Sequence, residues 1–136
     1  MTYAEAKKEL KSYQAMEQSI NQMQLWINDK KISSNKLTST LTLLPKGSPI
    51  HQDKMAEKLS MAIDIEAELQ LHIEKMKIKQ KEILQKVLKL EYPYKNIIFN
   101  IYIVGNTIEA STSIVGFSRT ETYRKRDKGI EMYAKL

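Results

Sequence analysis

"MAEKLSMAIDIEAELQLHIEKMKIKQKEILQKVLKL", Met55 to Leu90, is the stretch on which the reading of the fold turns. Within it Met55, Leu59, Ala62, Glu66, Leu69, Ile73, Met76, Gln80, Ile83, Val87 and Leu90 recur at alternating steps of four and three. That spacing puts them all on one stripe of an α-helix, the seam of a coiled coil. The predicted rod is about 55 Å long at 1.5 Å per residue. Glu66 and Gln80 are the polar members of the stripe, and polar seam residues set register or oligomer state at a cost in stability. The helix is therefore expected to pair with the first helix of the chain, with a second copy of itself, or with both. Asp53 stands at or next to its expected start, where a carboxylate complements the helix dipole. Pro93 in "EYPY" closes it, because proline donates no backbone hydrogen bond.

Towards the N-terminus, Leu10, Tyr13, Met16, Ile20, Met23 and Ile27 also follow steps of three and four, which predicts one amphipathic helix over about residues 2–29. Between the two rods lies "KKISSNKLTSTLTLLPKGSPIHQ", residues 30–52, rich in Ser, Thr, Pro and Gly and expected as a linker. Towards the C-terminus the rhythm shortens. "YKNIIFNIYIVG" predicts a compact helix ended by Gly105, and "NTIEASTSIVG" a second, capped by Asn106 or Thr107 and ended by Gly116. "FSRTETYRKRDKGIEMYAKL" predicts a third, with Ser118 and Glu121 at the spacing of a capping box. The fold class expected is all-α: a long helical hairpin or coiled coil over residues 1–90, with a loop at about 30–52, followed by a three-helix helix-turn-helix bundle over 91–136.

Composition narrows the chemistry. Four glycines and three prolines in 136 residues suit helices, since these two residues interrupt them. The absence of cysteine excludes disulfides, thiolate catalysis and Cys-ligated zinc, and fits a reducing compartment. No apolar run of about 18 residues occurs, so no membrane partner is expected and the location is read as the cytoplasm. His51 and His72 stand far apart with no partner at metal-ligand spacing, and no acid/base pair, nucleophile elbow or phosphate-cradling glycine loop is visible. No enzyme, metal or cofactor is expected. A formal net charge of +6 admits nucleic acid, acidic protein surfaces and anionic membrane as partners and selects none by itself.

The distribution of arginine selects further. Lysine is scattered along the whole chain, but the arginines are Arg119, Arg124 and Arg126, all on the last predicted helix. Two helices joined by a tight glycine-containing turn, the second of them basic, form the pattern of a helix-turn-helix, whose second helix enters the DNA major groove. On that helix Thr122, Gly129, Ile130 and Tyr133 are expected to face the preceding helices, with Arg119, Thr120, Arg124, Lys125 and Lys128 on the other side. Thr120, Arg124 and Lys128 form an i, i+4, i+8 stripe. Arginine forks match guanine O6/N7 or phosphate, and lysines neutralise backbone charge. With Ser118 at the turn, these are the candidate DNA-binding residues.

"YPYKNIIFNIYIVGNTIEASTSIVGFSRTETYRKRDKGIEMYAKL" resembles the C-terminal helix-turn-helix of phage-encoded regulators of the ArpU and RinA type, which is similar to region 4 of bacterial sigma factors. Upstream, "PIHQDKMAEKLSMAIDIEAELQLHIEKM" looks like the long helix that precedes the module in those regulators. "GFSRTETYRK" carries the resemblance most strongly, matching the turn and the start of the recognition helix. Where the family usually has an apolar residue followed by alanine, this chain has Ser111 and Thr112. Where an alanine packs in the last helix, it has Gly129.

The resemblance implies a transcriptional regulator of phage late or packaging genes, bound to double-stranded promoter DNA in the host cytoplasm. The turn would fall at Gly116 to Ser118 and the DNA-facing positions at Arg119, Thr120, Arg124 and Lys125. Further expected partners are a second copy, as homodimer or higher homo-oligomer through the long helices, and host RNA polymerase. The alternative reading is a phage-encoded helical adaptor or inhibitor whose coiled coil captures a host protein.

Overall fold

The structure, a computed structural model, describes residues 1–43 and 49–136, with side chains described outside 33–53. It is all-α among these residues. Helix α1 (Tyr3–Leu43) and helix α2 (Pro49–Leu88) are long; α3 (Tyr94–Ile98) runs directly into a π-helical segment (Phe99–Val104); α4 (Ile108–Val115) and α5 (Arg119–Ala134) follow. Thr2 and Glu5 start α1 as a capping box: the Glu5 N–H donates to Thr2 Oγ1 and the Thr2 N–H to Glu5 Oε2, each at 3.2 Å.

The predicted linker is the main correction. Helix α1 continues to Leu43 and α2 begins at Pro49, so most of residues 30–52 is helical. Serine and threonine disfavour a helix by only about 0.7 kcal/mol or less each, whereas proline costs about 3. The run from Ser33 to Thr42 contains neither glycine nor proline and is carried by the helix already under way. Pro45 and Gly47, the strong breakers, lie outside the described residues. Proline is well placed at the first position of α2, where its missing N–H would have no helical partner. Asp53 consequently falls one turn inside α2 rather than at its start.

The seam of α2 is as the sequence predicts. Ile73, Gln80, Ile83, Val87 and Leu90 are buried, and Met55, Leu59, Ala62, Glu66, Leu69 and Met76 are half-buried. From Leu69 to Val87 the partner within each compact unit is α1, running antiparallel to α2. Both polar seam residues are satisfied there: Gln80 Nε2 donates to the Tyr13 carbonyl at 3.2 Å and to Glu17 Oε2 at 2.8 Å, and Glu66 pairs with Lys31 at 3.2 Å.

Packing divides the chain differently from the expected boundary near residue 90. One compact unit is Ser19–Met76; the other joins Met1–Gln18 to Lys77–Leu136. In the first, Ile20, Ile27 and Ile73 form a core flanked by Met23, Trp26, Leu69 and Met76, with Trp26 as a packing anchor. In the second, Ala6 and Leu10 of α1 meet Ile83 and Val87 of α2, Ile98 and Tyr102 of the third helical stretch, and Ile130 and Tyr133 of α5. Full burial of each large apolar side chain contributes about 1.5–3 kcal/mol. The short C-terminal helices are thus built on the N-terminal turns of α1 and do not close a core of their own.

Two further contacts lock this unit. Gln14 of α1 donates from Nε2 to the Ile103 carbonyl, one of those left open where the π-helical segment ends at Gly105. Gly129 sits where α5 crosses α3: a Cβ there would lie 2.9 Å from Ile98 Cγ1 and 3.5 Å from Tyr94 Cβ. Ile98 is fully buried and has no room to retreat. Gly129 therefore permits a close helix crossing that alanine would not. Gly129→Ala gains about 1 kcal/mol of helix propensity but incurs an overpacking cost of about 1–3 kcal/mol. The expected outcome is a net loss of stability, read as a lower urea midpoint.

Candidate nucleic-acid interface

The turn between α4 and α5 is set by local chemistry. Thr107 caps α4, its Oγ1 accepting from the Ala110 N–H at 3.2 Å. Gly116 ends it in the left-handed conformation (φ 78°), with its N–H donating to the Thr112 carbonyl at 3.0 Å. Two residues later Ser118 caps α5, accepting from the Glu121 N–H at 3.2 Å. Only this half of the predicted capping box is used, because the Glu121 carboxylate turns outward to Arg124 Nη1 at 3.2 Å and Lys125 Nζ at 3.9 Å. Ser111 and Thr112 satisfy their hydroxyls within α4, on the carbonyls of Thr107 (2.9 Å) and Ile108 (2.7 Å). Their presence leaves no unsatisfied polar group under the turn.

Helix α5 divides as the sequence predicts. Thr122, Gly129, Ile130 and Tyr133 are buried. Burial first, and the nearby Glu9 carboxylate second, hold Tyr133 well above the ordinary tyrosine pKa, so it is a neutral core group. Ser118, Arg119, Thr120, Arg124 and Lys128 are exposed. Lys125 is the exception among the candidates: its side chain is 24% exposed against 73% for Arg124. Its ammonium lies 4.8 Å from the Phe117 ring and 6.0 Å from that of Tyr94. Lys125 is thus held in an aromatic bracket, while Lys128, 5.5 Å from the Tyr94 ring, remains at the surface.

The arginines have two kinds of surroundings. Arg119 pairs with Glu109 across the turn at 3.2 Å, and its guanidinium stands 5.7 Å from the Tyr123 ring. Arg124 meets Glu121 on its own helix. Exposed pairs of this sort are screened by solvent and contribute little, so they hold the two guanidinium groups only loosely. Arg126 is different. Its Nη2 bonds Asp127 Oδ1 at 2.8 Å, which also accepts from the Tyr3 hydroxyl at 2.9 Å, and its guanidinium is 5.0 Å from the Tyr123 ring. Burial alone would raise the Asp127 carboxyl, but the hydrogen bonds from Arg126 and Tyr3 hold it below the ordinary carboxylate value. Asp127 is thereby the tie between α5 and α1, and Arg126 holds its carboxylate.

Sequence reasoning missed Glu109, Glu121 and Tyr94 as neighbours of the basic face. The Glu121–Arg124 spacing of three was a legible signal; the approach of Glu109 and Tyr94 depends on how α3 and α4 fold back. Among the described residues no group of three or more His, Cys, Asp or Glu stands together to hold a metal ion, and no helix is long and apolar enough to cross a membrane. His72 is exposed, and the His51 side chain lies outside the described residues.

Gly116 isolates the backbone demand of the turn, because a Cβ there would meet nothing within 4 Å. Gly116→Ala is expected to cost about 1–2 kcal/mol from left-handed strain alone. Gly116→Asn is expected to lose less, since asparagine tolerates that conformation. Urea denaturation of the two variants measures the difference. The chain matches no protein-family model, no curated protein and no solved structure.

Proposed function

We propose that the chain is a phage-type transcriptional regulator that binds promoter DNA through its C-terminal, sigma-region-4-like helix-turn-helix. The observation that carries this reading is the two-sided character of α5. Four buried residues seat the helix on its bundle, and the opposite face presents Arg119, Thr120, Arg124 and Lys128, with the Ser118 hydroxyl at the turn. A groove-reading helix needs this division, because its docked side must be rigid while its outer side supplies donors to guanine and phosphate. In this reading Arg124 and Arg119 reach base edges or phosphates, Thr120 and Ser118 donate hydroxyl hydrogen bonds, and Lys128 neutralises backbone charge. Lys125 positions the helix start through its aromatic bracket. The protein would work in the bacterial cytoplasm, with host RNA polymerase as a further partner.

The adaptor reading has its own support. Leu25 and Ile32, seven residues apart on α1 and outside its apolar stripe, are 64% and 56% exposed. A pair at heptad spacing suits a further helix, from a second copy in a homo-oligomer or from a host protein.

Selection of binding sites from genomic fragments, run at two salt concentrations, tests the first reading. The expected result is an enriched sequence whose affinity falls steeply with salt. Arg124→Ala should lower affinity for that site by about 1–3 kcal/mol if it reads a base, or weaken all sequences alike if it touches phosphate. Selected-site binding that survives Arg119→Ala/Arg124→Ala unchanged would remove α5 from the interface.

A further inference from the structure

The first turns of α1 carry a second basic surface. Lys7, Lys8 and Lys11 line one shallow groove together with Tyr3 and Ala4. Ala4, Lys8, Lys11 and Ala15 are exposed on the same side of the helix, which is lysine raised over a floor of small residues. The nearby carboxylates are engaged elsewhere. Glu5 closes the capping box on Thr2, Glu9 meets Lys86 at 3.7 Å, and Asp127, which also feels the charge of Lys7, accepts hydrogen bonds from Arg126 and Tyr3. Among the described residues no carboxylate stands within ion-pair distance of Lys7, Lys8 or Lys11. A compact cationic surface of this kind is complementary to a row of phosphates.

Its position relative to α5 adds a second argument. The Tyr3 hydroxyl donates to Asp127 Oδ1 at 2.9 Å, which pins the first turn of α1 beside the middle of α5, three residues after Arg124. An element flanking a helix in the major groove meets the sugar-phosphate backbone rather than the base edges.

We infer that Lys7, Lys8 and Lys11 form a phosphate clamp on the same DNA duplex that α5 reads. This rests on the DNA-binding reading above and extends it. The clamp adds affinity without sequence preference, and the Tyr3–Asp127 bond holds it in register with α5.

The test compares the full-length protein with Lys7→Gln/Lys8→Gln/Lys11→Gln, which keeps the helix propensity and chain length of the three positions. Equal helicity and melting temperature establish that the variant is folded. Binding to the selected duplex and to a scrambled duplex is measured across a salt series. The expected result is that the slope of log affinity against log salt becomes shallower by about 0.9 for each phosphate no longer neutralised, roughly 2–3 in all, with the ratio of selected to scrambled affinity unchanged. A control, Lys30→Gln/Lys54→Gln/Lys58→Gln, removes the same charge from the other unit and should leave the slope as it was. An unchanged slope in the first variant, an equal change in the control, or loss of binding only to anionic phosphatidylserine vesicles would each overturn the clamp while leaving α5 as a DNA reader. A parent protein that retains no duplex would overturn both.

Discussion

Ile130 and Tyr133, buried against Leu10, Val87 and Ile98, hold the C-terminal unit together and seat α5, the helix that carries the basic face, on its core. Alone, α5 is a polar helix with a narrow apolar stripe, and a helix of 16 residues is marginal in water. Seated on that core, it becomes a rigid support whose outer side chains have fixed origins. Gly129 sharpens the seat by letting α3 approach so closely that Ile98 fills the space of a missing methyl group. The glycine is unfavourable for an isolated helix and favourable for this crossing, so local propensity and tertiary packing oppose each other at one position and packing prevails.

Polar groups then specify what apolar burial leaves loose. A leucine-rich seam tolerates slippage by a heptad, whereas Gln80 must find the Tyr13 carbonyl and Glu17, and Glu66 must find Lys31. The Gln80 amide is buried, so a shifted register would leave it unsatisfied at a cost of about 1–3 kcal/mol. Gln14 plays the corresponding part at the end of the π-helical segment, where open carbonyls would otherwise face α1.

The confinement of arginine to α5 has a two-part physical explanation. Arg126 uses its planar fork for a contact within the chain, bonding Asp127 while lying over Tyr123. Lysine would match that geometry poorly, because its ammonium is a point charge without a plane to stack. Arg119 and Arg124 are instead held at the surface by carboxylates that contribute little and are easily displaced.

Much of this was legible in the chain itself. Steps of three and four from Leu10 to Ile27 and from Met55 to Leu90 specified which faces of α1 and α2 are buried, and the cap residues Thr107, Gly116 and Ser118 marked where α4 and α5 begin and end. Those features obey local rules: helical periodicity, capping and the left-handed freedom of glycine act within a few residues. The expected linker is helical up to Leu43 because Ser and Thr are weak breakers, and an established helix runs through them. Long-range packing, by contrast, chose α1 as the element that answers the polar seam positions of α2. It also placed the N-terminal turns beneath the short C-terminal helices, gave Gly129 its purpose against Ile98, and set Lys125 between two aromatic rings. Each of these depends on residues tens of positions apart meeting in space, and periodicity along a sequence specifies a face without naming what will cover it.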